Sequence, residues 1–165
     1  RYVFGFEESY GYLTGSYVRD KDGVDGAYMI CEMFSYYATK GISLLDKLDE
    51  LYRTYGYCLN TLHSYEFDGS AGFAKMQRIM ASFRESISEF GGKKVEKVLD
   101  YSAGLDGLPK SDVLKFQLEG NCSLVVRPSG TEPKLKLYAS VSAENKAAAE
   151  KTEAAILRCA EERLK

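Results

Sequence analysis

The sharpest concentration of chemistry in the chain is the octapeptide Arg127-Pro128-Ser129-Gly130-Thr131-Glu132-Pro133-Lys134. Pro128 restrains Arg127 to extended geometry. Gly130 lets the backbone turn so that its N–H groups converge, and the Ser129 and Thr131 hydroxyls add further donors. Arg127, Lys134 and Lys136 bring positive charge to the same short segment. Converging N–H and O–H donors beside a guanidinium suit a phosphate or a carboxylate. Glu132 is the discordant member, because its charge must point away from a bound anion. The same composition also suits an ordinary Pro/Gly/Ser turn. Ser129 is a poor nucleophile, since no base lies near it in sequence and the one histidine is His63.

A second segment, Gly5-Phe6-Glu7-Glu8-Ser9-Tyr10-Gly11, sets adjacent carboxylates and a hydroxyl on a glycine-flanked loop. A carboxylate can accept two hydrogen bonds from a vicinal diol, so these residues suit gripping sugar hydroxyls. A solvated acidic turn has the same composition. The third segment is Arg19-Asp20-Lys21-Asp22-Gly23. Asp20, Asp22 and Asp25 lack the spacing and terminal glutamate of a calcium loop. Asp22 instead suits a helix N-cap, where a carboxylate meets the positive end of the helix. Lys21 is then either a solvated charge or a group held toward the acidic loop.

The elements that must position these segments follow from apolar periodicity. Residues 2–5 form a short apolar strand, followed by a loop over about residues 6–15. Ala27, Ile30, Cys31, Phe34 and Ala38 recur at helical spacing behind Asp22 and end at Lys40-Gly41. Ser43 with Asp46 is a capping-box pattern, and Leu44, Leu45, Leu48, Leu51, Tyr52 and Tyr55 make the next stripe. Residues 57–67 alternate as a strand. A third helix is predicted over residues 69–90, with Phe73, Met76, Ile79, Met80, Phe83, Ile87 and Phe90 on one face. Residues 94–101 read as a strand, and Gly120-Asn121 between Leu118 and Leu124 is a hairpin signal. Leu135, Leu137, Ala139 and Val141 alternate in a last strand. Ser142 is the expected cap of a final helix with the stripe Ala149, Ile156, Ala160 and Leu164. Hairpins flanked by helices predict an α+β fold, an antiparallel sheet covered on one face. The expected boundary lies near Gly56, with residues 1–55 as one piece and 56–165 as a domain.

Composition narrows the function classes. The chain has 165 residues, 45% hydrophobic and 28% charged, enough for a packed core. Its net charge of -2 lacks the basic surplus of a broad nucleic-acid footprint. No apolar run approaches the roughly 20 residues of a membrane span. The four cysteines form no CxxC pair, and with one histidine they argue against zinc and for reduced, mostly buried thiols. Arg1 runs straight into Tyr-Val-Phe-Gly-Phe, a strand already in progress, so a piece cut from a longer chain is expected.

In order and spacing the three segments, with Lys136-Leu137-Tyr138 after the last, resemble the C-terminal part of the α-D-phosphohexomutase family, in particular its phosphoglucomutase branch. The resemblance implies four domains. The first carries a phosphoserine, the second a magnesium loop, the third a sugar loop and the fourth a phosphate loop. Residues 1–55 then correspond to the end of the α/β sugar-binding domain. Residues 56–165 correspond to the fourth domain, an antiparallel sheet with helices on one face, TATA-binding-protein-like. By the same resemblance Glu7 and Ser9 bind substrate hydroxyls, and Lys21 is a candidate general acid or base. Arg127, Ser129, Gly130, Thr131 and Lys136 bind phosphate. The implied enzyme is an intramolecular phosphotransferase of the isomerase class in carbohydrate metabolism. It interconverts glucose 1-phosphate and glucose 6-phosphate through glucose 1,6-bisphosphate. Its Mg2+ ligands and phosphoserine have no counterpart motif here, so no metal ligand is assigned in this chain and the piece alone is expected to be inactive. The implied partners are a hexose phosphate and the N-terminal domains of the parent, with no nucleic acid and no membrane, in the cytoplasm. Tyr10-Gly11 stands where the phosphomannomutase and phosphoglucosamine branches tend to have histidine. A phosphomannomutase of the same family, or a non-catalytic phosphate-binding module, are the alternatives.

Overall fold

The computed structural model describes residues 2–7, 10–130 and 132–165. The chain divides into two compact units, Arg1–Thr54 and Tyr55–Lys165.

In the first unit, β1 (Phe4–Glu7) pairs antiparallel with β2 (Gly11–Thr14), Glu7 opposite Gly11. The second strand falls within the segment expected to be loop. It forms because Tyr10 takes a positive φ of 60° and folds the chain back at once. Helix α1 (Gly23–Ala38) starts where expected, with the Val24 and Asp25 N–H groups donating to Asp22 Oδ1 at 2.9 and 3.1 Å. The Asp22 N–H donates to the Tyr12 carbonyl at 2.8 Å, which ties the helix start to β2. Gly26 completes the junction: a Cβ there would lie 2.6 Å from the Tyr12 ring. Helix α2 (Leu44–Tyr55) opens on the reciprocal Ser43–Asp46 capping box. The apolar stripes of α1 and α2 are present but uncovered: Phe34, Leu45 and Leu48 are all exposed. Among the described residues of this unit only Gly11 and Gly26 are buried.

The second unit is an antiparallel sheet in the order β3 (Tyr57–Glu66), β8 (Lys134–Ala143), β7 (Cys122–Pro128), β6 (Leu114–Leu118), β5 (Lys93–Asp100), β4 (Glu89–Phe90). Helix α3 (Gly69–Phe83) lies against β7, and α4 (Lys146–Glu161) against β8 and β3. Alternate residues of the inner strands face these helices and are almost wholly buried, among them Phe116, Leu124, Val126, Leu135, Leu137 and Val141. Met76, Met80 and Phe83 of α3 and Ala149, Ile156 and Ala160 of α4 close the core. Each such large side chain contributes about 1.5–3 kcal/mol of transfer free energy. The opposite face of the sheet carries the alternating polar set. This is the α+β layout predicted from the sequence.

Three local expectations are corrected. The helix predicted over residues 69–90 ends at Phe83, and Phe90 reaches the core from β4 instead. Gly91, at φ 56°, makes the turn into β5 so close to α4 that a Cβ would lie 2.6 Å from the Ala155 carbonyl oxygen. Ser142 does not cap α4. Its hydroxyl donates to the Asn121 carbonyl in the turn between β6 and β7, and Asn145 caps the helix by accepting from the Ala148 N–H at 2.9 Å. Nor are the thiols mostly buried: Cys122 is, but Cys31 and Cys58 are exposed.

Candidate functional site

Two of the chemical segments converge within the first unit. Glu7 ends β1, and Lys21 lies just before the Asp22 cap, so the cap that fixes the start of α1 also fixes the lysine. Lys21 Nζ donates to Glu7 Oε1 at 2.5 Å. Both side chains are half-exposed, and such a pair contributes at most about 1 kcal/mol to stability. Its significance is geometric: Lys21 is held toward the acidic loop. Gly11 makes room beneath them, since a Cβ there would press on Lys21 and lie 2.7 Å from Glu7 Oε1. Glu8 and Ser9, the latter a predicted sugar ligand, lie outside the described residues. Asp22 is used as a cap, and Asp25 accepts from the Thr14 hydroxyl. Among the described residues, no three His, Cys, Asp or Glu side chains converge as a metal ion requires. Asp25 also accepts from Tyr17, whose phenol is pushed up first by partial desolvation and then by that carboxylate.

The third segment is built by β7 and β8. Arg127 stands directly opposite Lys136, and Pro128 opposite Leu135. The loop between them is braced internally. The Ser129 N–H donates to the Lys134 carbonyl and the Lys134 N–H to the Glu132 carbonyl, each at 2.7 Å, while the Glu132 N–H reaches Ser129 Oγ at 3.3 Å. The Lys134 ammonium lies 2.9 Å from Glu66 and 3.5 Å from Glu132. Its pKa is accordingly raised, chiefly by the hydrogen bond to Glu66 and then by the charge of Glu132. This resolves the discordant glutamate: its charge is drawn onto Lys134. It also removes Lys134 from the cations expected to meet an anion.

Arg127 and Lys136 differ. Among the described residues neither has a carboxylate within 4.0 Å, and Arg127 is exposed. Directly opposed cross-strand residues have Cβ atoms about 4.5–5.5 Å apart, where like charges repel. An anion bridging the two would remove that repulsion. Ser129 and Gly130 stand on the same loop; Thr131 lies outside the described residues. Beside them is a cleft of about 420 Å3 lined by Arg127, Pro128, Ser129 and Gly130, with Phe73, Met76 and Gln77 of α3 and Ser111 and Asp112. Sequence reasoning missed the α3 wall. Phe73 lies on the apolar face of α3, as its spacing predicts, but at the end of that face it is 39% exposed. Gln77 and Ser111 carry no local signal, because only the tertiary fold brings them to the loop. His63 takes no part: its Nε2 lies 2.9 Å from Glu153, between β3 and α4.

Comparison with known proteins places these units. A family model described as the phosphoglucomutase/phosphomannomutase C-terminal domain matches residues 71–158, and the α/β/α domain III model of the same family matches residues 1–55. The chain is 37% identical over 157 residues to a phosphoglucomutase of Staphylococcus epidermidis and 38% identical over 155 residues to one of Staphylococcus aureus. Both alignments cover 87% of this chain and 28% of the relative. The fold is that of the open form of Paramecium parafusin (TM-score 0.67, 19% identity), over 95% of this chain and 29% of that one. The chain thus spans about a quarter of the length of the relatives it matches.

Proposed function

Because the chain belongs to the phosphoglucomutase/phosphomannomutase family, we propose that it is the substrate-binding portion of an enzyme that interconverts glucose 1-phosphate and glucose 6-phosphate through a bisphosphorylated sugar. The observation that carries this reading is the Arg127–Lys136 pair, two cations opposed across β7 and β8, neither with a carboxylate within 4.0 Å among the described residues. In the proposed role they grip the phosphate that is not reacting, with Ser129, Gly130 and Thr131 supplying neutral donors from the loop. Charge-assisted bonds of this kind contribute about 1.5–3 kcal/mol each. Glu7 and Ser9 accept from or donate to sugar hydroxyls, and Lys21, held by Glu7, donates a proton or hydrogen bond at a substrate oxygen.

The transfer itself calls for a nucleophile and for charge neutralisation at the phosphoryl group. The described residues do not fit Mg2+, since no carboxylate cluster forms, and no step here is routed through it. We assign the metal and the phosphoserine to the remainder of a longer, cytoplasmic parent. No helix of the described residues is long and apolar enough to cross a membrane. The test is a coupled mutase assay of the full-length parent on glucose 1-phosphate and mannose 1-phosphate. Arg127→Ala and Lys136→Ala are each expected to lower kcat/KM on glucose 1-phosphate at least about tenfold. Unchanged turnover in both variants would remove the phosphate role.

A further inference from the structure

We propose that the helix-covered side of the second unit carries a site for a small, multiply charged phosphate anion, separate from the β7–β8 loop. A cleft of about 280 Å3 lies between α3 and the C-terminal turn Glu162–Leu164. It is lined by Lys75, Arg78, Ile79, Ser82, Arg163 and Lys165. Four of these six side chains are cationic and none is acidic. The chain as a whole carries a net charge of -2, so general composition does not account for the cluster.

Spacing explains half of the arrangement. Lys75, Arg78 and Ser82 recur at i, i+3 and i+7, which sets them on one face of α3. The C-terminal turn brings the other half. The Arg163 guanidinium is fixed rather than loose: Nη1 donates to the Ser82 carbonyl at 2.7 Å, and the group lies 6.0 Å from the Phe83 ring. Glu85 stands 3.7 Å from it and offsets part of one charge. Glu161 accepts from the Tyr65 hydroxyl. Among the described residues, no carboxylate lies within 4.0 Å of Lys75, Arg78 or Lys165. The Lys75 ammonium lies over the face of Phe67, 5.3 Å from the ring centroid.

Like charges at helical spacing oppose folding, and among the described residues no carboxylate lies within ion-pair distance of three of the four. A dianion or higher would. The size of the cleft selects among anions: it falls at the small end of ligand sites, which run to about 1,000 Å3. That suits a phosphate or diphosphate group. The Ser82 hydroxyl already donates to the Ile79 carbonyl at 2.8 Å, so the preorganised Arg163 and two adjustable cations on α3 are the donor set for such a group.

The test uses the whole 165-residue chain with pyrophosphate as probe, titrated at constant ionic strength and followed by backbone amide shifts. Saturable shifts are expected at Ser82, Arg163 and Lys165, with none when sodium chloride replaces pyrophosphate. The Lys75→Gln/Arg78→Gln double variant should raise half-saturation at those amides by about tenfold or more. Arg127→Ala should leave them unchanged, which separates this site from the loop. An unaltered melting temperature for the double variant excludes misfolding. Linear shifts, shifts indifferent to the double variant, or shifts lost with Arg127→Ala would each overturn the proposal. Co-sedimentation with phosphatidylinositol phosphate vesicles that depends on Lys75 and Arg78, without saturable pyrophosphate shifts, would overturn it in favour of a membrane headgroup.

Discussion

Arg127→Ala should move stability and anion binding in opposite directions, and this sign pattern separates a binding arginine from a structural one. Arg127 is exposed, stands opposite Lys136 and has no carboxylate within 4.0 Å among the described residues. In anion-free buffer its removal relieves a like-charge cross-strand pair, an effect of about 0.2–1 kcal/mol. The variant should therefore be as stable as the parent or slightly more so, and the gain should vanish near 1 M salt, where the screening length falls to about 3 Å. Phosphate should reverse the order. Loss of one charge-assisted contact lowers affinity by about 1.5–3 kcal/mol, or roughly 10- to 150-fold. At phosphate concentrations near 100 times the parent dissociation constant, the parent gains about 2.7 kcal/mol by linkage, and the variant gains far less. Urea unfolding with and without phosphate measures both quantities on one sample. Destabilisation of the anion-free variant by more than about 1 kcal/mol would show that Arg127 is a packing or pairing residue. Equal phosphate stabilisation of parent and variant would show that the anion sits elsewhere.

Other outcomes follow from packing and titration. The first unit buries only Gly11 and Gly26 among its described residues, so its amides should exchange with solvent faster than those of α3 or β7, and equal protection would contradict this. Phe116 packs 5.0 Å from Phe90 and 6.2 Å from Phe83 by ring centroids, so Phe116→Ala should cost about 3–5 kcal/mol in urea unfolding. Gly26→Ala should destabilise the first unit alone, through the Tyr12 contact, and leave exchange in the second unit unchanged. Asp100 is held below the ordinary carboxyl range, first by its hydrogen bond from Arg84. Its contribution is therefore complete above that range and lost as pH falls through the depressed value. Acid titration of Arg84→Ala should show a shallower loss of stability there than the parent does.

The parts of the fold that were legible in the sequence share one property: the signal is local. The alternation of Leu114, Phe116 and Leu118 and of Leu135, Leu137 and Val141 needs only the two-residue pleat, and all six are buried. The Asp22 and Ser43–Asp46 caps are satisfied within three residues. The misread parts required knowledge of a distant partner. Ile87 and Phe90 continue the helical spacing of Phe83, so periodicity cannot show that the chain turns at Gly91 to meet Ala155 of α4. Ser142 is a good cap by type, but Asn121 in the turn between β6 and β7 claims its hydroxyl. Lys134 belongs to the loop by position and to Glu66 by strand pairing, and only the register of β3 on β8 reveals the second.

Strand register also explains how the candidate site is held so firmly by residues that never touch a ligand. Arg127 and Lys136 are adjacent in their strands to Val126 and Leu137, which are themselves paired and fully buried. Because side chains alternate with a period of two, a one-residue slip of both strands would send the two cations into the core and the two aliphatic residues to the surface. Burial of the aliphatic pair favours the native register by several kcal/mol on transfer alone, and burying two unpaired charges would add a still larger penalty to the slipped form. That preference exceeds the roughly 0.2–1 kcal/mol of repulsion between Arg127 and Lys136. The apolar face thus holds two like charges opposite one another in the absence of ligand, at a small cost that a bound anion would remove.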